Sequence, residues 1–190
     1  MLAQVTRAML EPAGQQLPLP SGRGGGSLDL NIRPHIATTA TVMRIADYRD
    51  ENAREVVQLW RASFEHGVGI TDHHPIQDQL DHFLADVVPH NKVRVACEGS
   101  LVIGFIAFTP ESIAHLYVRV KWIGRGVGTC LLGLAKAESG GSLWLYTFAR
   151  NKNARRFYER HGFREVERES ENMWRLEAIK YRWVRGDSAA

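Results

Sequence analysis

The chain has 190 residues, 44% hydrophobic and 24% charged, which suits one globular domain with a sizeable core and a short extra segment. No apolar run approaches the ~20 residues a membrane span needs, and the two cysteines, Cys97 and Cys130, form neither a disulfide framework nor a metal-ligand spacing. The net charge of +3 is spread along the chain without the clustered stripe of a general nucleic-acid binder, and it suits an anionic, phosphate-bearing ligand. A cytoplasmic protein without membrane or nucleic-acid partners is therefore expected.

Residues 1–42 read as a flexible tail. The stretch Pro18-Leu19-Pro20-Ser21-Gly22-Arg23-Gly24-Gly25-Gly26-Ser27 has no apolar periodicity and cannot bury enough surface to offset its chain entropy. Met43 stands directly before the first strand-like run, so an alternative start there is open. The folded unit is expected over residues 43–187. Met43 to Tyr48 alternates as a short strand. Asp50 is placed to cap a helix carrying Val56, Val57, Trp60 and Phe64 on one face. Pro75 suits the first turn of a second helix, with Leu80, Phe83 and Leu84 as its apolar face.

Lys92–Cys97 and Leu101–Thr109 are apolar runs separated by Glu98-Gly99-Ser100, a hairpin signal. Further elements follow: strand Ile113–Val120, helix Gly126–Ala137, strand Leu143–Phe148 and helix Asn151–His161. Gly162 stops that last helix, and strands Phe163–Val166 and Ile179–Trp183 close the unit. The expected order is β, α, α, β, β, β, α, β, α, β, β, an α+β class.

The segment Leu116-Tyr117-Val118-Arg119-Val120-Lys121-Trp122-Ile123-Gly124-Arg125-Gly126-Val127-Gly128-Thr129 runs a strand into a glycine loop and then a helix. Glycine lets the backbone come close to a ligand, and the first helical turn presents unpaired N–H groups with a partial positive charge. That combination holds phosphate. The spacing is G-x-G-x-G, with Thr129 where a dinucleotide fingerprint needs its third glycine, and no Gly-Lys-Ser/Thr closes a P-loop. Arg125 adds charge beside the turn.

Downstream, Asn151, Ala154, Phe157, Tyr158, Gly162 and Phe163 complete the pattern N-x-x-A-x-x-F-Y-x-x-x-G-F. Asn151 can cap its helix, Phe157 reads as a core anchor and Tyr158 as turned to a neighbouring face. With Arg125, Gly126 and Gly128 matching a Q/R-x-x-G-x-G/A loop, the two blocks resemble the acetyl-coenzyme A signatures of the GNAT superfamily of N-acetyltransferases. Ile123 departs from the loop pattern where Gln or Arg is usual, and Val120 where Pro often stands.

The resemblance implies a GNAT fold: a central, twisted, mostly antiparallel sheet of six to seven strands, flanked by about four helices, with splayed central strands. It implies acetyl-CoA as cosubstrate, no metal, and an amine acceptor on a small molecule, a peptide, a protein or an aminoacyl-tRNA. A protein- or RNA-directed acceptor is hinted at by Arg150, Arg155 and Arg156; a coenzyme-holding module without turnover is the other alternative. A monomer or homodimer is compatible.

The same resemblance places Leu116, Tyr117 and Val118 along the pantetheine arm and the turn Ile123 to Thr129 on the diphosphate. Asn151, Ala154 and Phe157 then lie against the coenzyme. Tyr158 would donate to the leaving thiolate, since a phenol with an ordinary pKa near 10 stays protonated at pH 7. The base is open among His115, Glu111 and a chain of waters. Trp60, Phe64, His73, His74 and Phe148 are candidates for the acceptor pocket. No acyl-enzyme forms in such a transfer, so Cys97 and Cys130 are expected as buried small hydrophobes.

Overall fold

The computed structural model describes residues 43–170 and 174–187. The tail reading of residues 1–42 lies outside them. Strand β1 (Met43–Asp47) leads through a 3-10 turn (Asp50–Asn52) into helix α1 (Ala53–Val68). Asp50 opens that turn and does not cap α1; Asn52 holds the cap position, because the tighter turn inserts three residues before the helix. α1 buries Val56, Val57, Trp60, Ser63 and Phe64, the stripe its periodicity demands, and ends at Gly69 in the left-handed region at φ 72°.

Helix α2 (Ile76–His82) continues through a π turn (Phe83–Val87) into a last turn, α3 (Val88–His90). Phe83 and Val87 point inward, but Leu84 is 39% exposed and not part of the apolar face. The wide turn takes an extra residue, which rotates Leu84 away from the core.

Strands β2 (Lys92–Glu98) and β3 (Leu101–Phe108) form a hairpin, followed by β4 (Ile113–Val118). A 3-10 turn (Val120–Trp122) precedes helix α4 (Val127–Glu138). Strand β5 (Ser142–Phe148), helix α5 (Lys152–Arg160) and strands β6 (Arg164–Glu169) and β7 (Ala178–Val184) complete the described chain.

The strands pair antiparallel in two sheets, β1-β2-β3-β4 and β5-β7-β6. Between β4 and β5 there is a single parallel bridge, Ser112 to Trp144, where the Trp144 N–H donates to the Glu111 carbonyl at 3.0 Å. Beyond that point the two strands share no ladder. The sheets therefore touch at the start of β4 and β5 and part toward Val118 and Phe148. The expected mixed sheet is present as seven strands, opened in the middle.

Both faces are covered, which explains why β3 reads as an almost unbroken apolar run. Val102, Phe105, Tyr117, Tyr146 and Phe148 pack under α1 and α2. Ile103, Ile106, Leu116 and Leu145 pack under α4 and α5, against Leu131 of α4 and Tyr158 of α5. Arg119 clamps the exit of β4. Its N–H donates to the Ile103 carbonyl at 2.8 Å, its Nε to the Val102 carbonyl at 3.0 Å, and its Nη2 to Glu55 of α1 at 2.9 Å.

Candidate functional site

The loop between β4 and α4 turns on two left-handed glycines, Gly124 at φ 80° and Gly126 at φ 83°, a region that strains any residue with a Cβ. Gly126 is the N-cap of α4, and the Cys130 N–H closes the first helical bond onto its carbonyl at 3.0 Å. The N–H groups of Val127, Gly128 and Thr129 precede that bond and have no acceptor one turn back. Glycine at these positions leaves the main chain bare, and the helix end faces outward with its partial positive charge.

That turn forms one wall of a cavity of about 640 Å³. Trp122, Ile123, Gly124, Gly126, Gly128 and Thr129 line it from the loop, and Val118 from the end of β4. Opposite stand Asn153, Arg156, Phe157, Arg160 and His161. Their spacing of three and four residues makes them one face of α5 and its C-cap. The cavity thus begins where β4 and β5 part.

Asn151 fixes the near end of α5. It is buried, its Oδ1 accepts from the Ala154 N–H at 3.1 Å, and its own N–H donates to the Phe148 carbonyl at 2.9 Å. Its Nδ2 is enclosed and has no hydrogen-bond partner. The indole Nε1 of Trp122 is in the same condition. Trp122 lines the cavity, and an enclosed donor without an acceptor there suits a ligand rich in oxygen acceptors; Asn151 lies at the start of α5, outside the cavity lining.

A family model described as "Acetyltransferase (GNAT) domain" matches residues 89–165, which span this loop, the cavity and α5. Residues 89–165 therefore carry a GNAT acetyltransferase domain. No curated protein sequence matches the chain. Solved structures with the same fold include apo YjaB from Escherichia coli, 20% identical, covering 76% of this chain and 99% of YjaB, with a TM-score of 0.63. The PaiA N-acetyltransferase from Thermoplasma acidophilum, solved with coenzyme A, is 16% identical over 75% of this chain and 99% of its own, at a TM-score of 0.60. YncA from Salmonella typhimurium, solved with its cofactor acetyl-CoA, is 17% identical over 78% and 96%, at 0.56.

On the GNAT domain's second helical block the structure revises two roles. Phe157 is half-buried on the cavity wall, whereas Tyr158 is fully enclosed, its ring against Phe163 at 5.6 Å and Tyr181 at 6.4 Å. The expectation had Phe157 as the core anchor. Ala154 and Tyr158, one turn apart, form the sheet-facing stripe of α5, and that stripe leaves Phe157 at its edge. Cys130, one turn into α4, is exposed and not a buried hydrophobe, because Leu131 and Leu132 take the inward positions; Cys97 is buried.

Of the acceptor-side candidates, Phe64 and Phe148 meet at a ring distance of 6.0 Å on the α1 side of the parting strands. One residue before Phe64, the Ser63 hydroxyl donates to the Val118 carbonyl at 3.0 Å, which ties this side to the opening. Trp60, on the inner face of α1, is buried in the core with its ring 4.4 Å from His115. His73 is exposed on the loop after α1. His74, its neighbour, stands edge-on to Trp174 at 5.5 Å, with its Nδ1 2.7 Å from Asp72.

Trp174 joins these acceptor-side candidates, and the sequence did not disclose it: it packs on Phe64 at 5.0 Å from the β6–β7 connection. No periodicity marks a residue in a loop, and only the pairing of β6 with β7 brings it back over α1.

His115 and Glu111 do not take the place expected of a base. His115 is 0% exposed, with its ring 4.4 Å from Trp60 and beside Phe105 and Tyr117, and neither ring nitrogen has a hydrogen-bond partner. Burial, assisted by the nearby His82, pushes its pKa down from 6.5 to about 3. A ring that weakly basic holds almost no proton at neutral pH. Glu111 is exposed at the closed end of the β4–β5 junction, where its carboxylate accepts from the Thr109 hydroxyl.

The His115 shift has a stability consequence. Above the unfolded value of 6.5 both states carry a neutral ring. Between 6.5 and about 3 the unfolded chain binds a proton that the folded chain refuses, so stability falls on acidification. The slope is about 1.4 kcal/mol per pH unit, so lowering pH from 7.5 to 5.5 costs about 1.4 kcal/mol from this residue. Denaturant midpoints of the wild type and His115→Phe at those two pH values check this. The variant is expected to lose that part of the acid sensitivity, and equal slopes would refute it.

Proposed function

We propose that this GNAT domain is an N-acetyltransferase, moving an acetyl group from acetyl-CoA to a primary amine of a small molecule or peptide by direct attack on the thioester. The observation that carries the reading is the parting of β4 from β5 at the mouth of a cavity walled by main-chain N–H groups and α5. A thioester seated at that parting is reachable from the α1 side, where Phe64, Phe148 and Trp174 gather.

Each part of the chain then has a task. The unladdered edge of Leu116, Tyr117 and Val118 pairs with the amides of the pantetheine arm. Ile123 through Thr129 hold the diphosphate, mostly through main-chain N–H groups, with Arg125 beside them. Asn151 supplies the donor of its enclosed Nδ2, Ala154 permits close approach, and Phe157 covers the arm. A main-chain N–H near Tyr117 or Val118 stabilises the charge that develops on the carbonyl oxygen. Tyr158 donates to the departing sulfur. His115 is given no part; the proton of the attacking amine leaves through water on the α1 side. A cytoplasmic setting fits the two free thiols.

The test is thiol release across a panel of amines. Free CoA is expected only when an acceptor is present, one equivalent per N-acetylated product, with no acetyl group left on the protein after quenching. A thermal shift with CoA but no release from any amine would favour the module without turnover, which the departure at Ile123 motivates.

A further inference from the structure

Helix α5 carries three arginines, and they are used differently. Arg155 is committed to the fold: its Nε donates to the Tyr181 hydroxyl at 3.2 Å and its Nη2 lies 3.9 Å from Glu165. Arg156 and Arg160 are exposed, line the cavity, and have no carboxylate within ion-pair distance among the described residues. Arg160 uses its Nε on the Arg156 carbonyl at 3.2 Å, which holds the two guanidinium groups along one helix face. No Asp or Glu lines the cavity, so its field is positive from α5 and from the end of α4 alike.

The glycine loop lacks the corresponding side chain. Ile123 lines the cavity with an aliphatic group, and Arg125 is engaged over the Trp122 ring at 5.9 Å. Beside the two α5 arginines lies an aromatic shelf, the rings of Phe157 and His161 with centroids 4.2 Å apart and planes tilted by 39°. His161 is locked in place, with its Nδ1 2.7 Å from the Phe157 carbonyl and its Nε2 3.3 Å from the Thr129 hydroxyl.

Position along α5 decides what these groups meet. The helix starts at the strand parting, through the Asn151 bond to Phe148, and runs about 14 Å to its C-cap. A coenzyme whose thioester sits at the parting and whose diphosphate sits on the loop places its adenosine end beside Arg156, Arg160 and the shelf. There the ligand's remaining charge is the ribose 3′-phosphate, a dianion for which two unneutralised guanidinium groups are suited.

We propose that Arg156 and Arg160, beside the Phe157–His161 shelf, form a subsite for the adenosine 3′-phosphate, so that this protein selects coenzyme A over its 3′-dephosphorylated form through α5. The inference rests on the coenzyme reading above and adds to it a source of charge that the loop does not provide.

The experiment compares CoA and 3′-dephospho-CoA binding to the full chain by calorimetry. The wild type is expected to bind CoA at least about tenfold more tightly. In Arg156→Gln/Arg160→Gln the two ligands should bind within about twofold of each other, with the change falling on CoA. Raising salt from 50 to 200 mM should weaken CoA more than dephospho-CoA in the wild type and alike in the double variant. Melting of the free variant verifies its fold, and both side chains are exposed. Equal binding of the two ligands by the wild type, or a preference that survives the double substitution, overturns the subsite. Failure of both ligands to bind overturns the coenzyme reading itself.

Discussion

Tyr158→Phe is expected to lower kcat by about 10²–10³-fold while KM for acetyl-CoA stays within about threefold. The substitution removes one oxygen and keeps a ring of the same shape among Phe157, Phe163 and Tyr181, so the α5 packing persists. The structural cost is that of deleting one hydroxyl from an enclosed ring, about 1 kcal/mol. A loss of that size cannot explain a hundredfold fall in turnover in a protein that is still folded. Steady-state kinetics with an identified acceptor, paired with a thermal melt, separates the two effects. If Phe turned over as fast as Tyr, protonation of the sulfur by this residue would have to be abandoned.

Gly104→Val is expected to destabilise the fold by about 2–3 kcal/mol, roughly 5–10 °C in Tm, and to weaken coenzyme binding with it. Gly104 sits in β3 opposite Val118. A Cβ there would lie 2.9 Å from the Val127 Cγ1, 3.1 Å from the Tyr117 carbonyl oxygen and 3.3 Å from the Leu131 Cδ1. The carbonyl is part of the β4 main chain and cannot swing aside. The strain must therefore be relieved by lifting α4, and Val127 is the first residue of that helix. The same glycine that admits α4 to the sheet thus sets the height of the glycine turn ahead of α4. Calorimetry of unfolding and of CoA binding on one sample checks both effects. A variant with wild-type Tm would mean that α4 tolerates the bulk, and the link between core and cavity would be lost.

The glycine loop and α5 were legible because their constraints are local. Positive φ at Gly124 and Gly126, the Asn151 cap and the Gly162 stop are each properties of a few neighbouring residues, and the sequence pattern reports them directly. The misreadings share a different origin. Alternation correctly groups His115 with Tyr117 on one face of β4, but it is silent on what covers that face. Trp60 of α1 covers it, which turns a candidate base into a neutral core residue. Phe157 and Tyr158 are adjacent apolar positions that a helical wheel separates by about 100°, and only the seating of α5 on the sheet decides which is enclosed. Leu84 was moved outward by a π turn that no residue type announces.

By itself, the sequence determined the succession of seven strands and four main helices among the described residues, the glycine turn ahead of α4, and the acetyltransferase-domain match of the two blocks, since hydrophobic period and turn chemistry act over a few residues. Tertiary structure alone decided that β4 and β5 meet at one bridge and then part, that Gly104 sets α4 against the sheet, that Trp174 returns to Phe64, and that Arg156 and Arg160 face the glycine turn across a cavity. Those relations join residues distant along the chain, and they exist only once burial has chosen which faces come together.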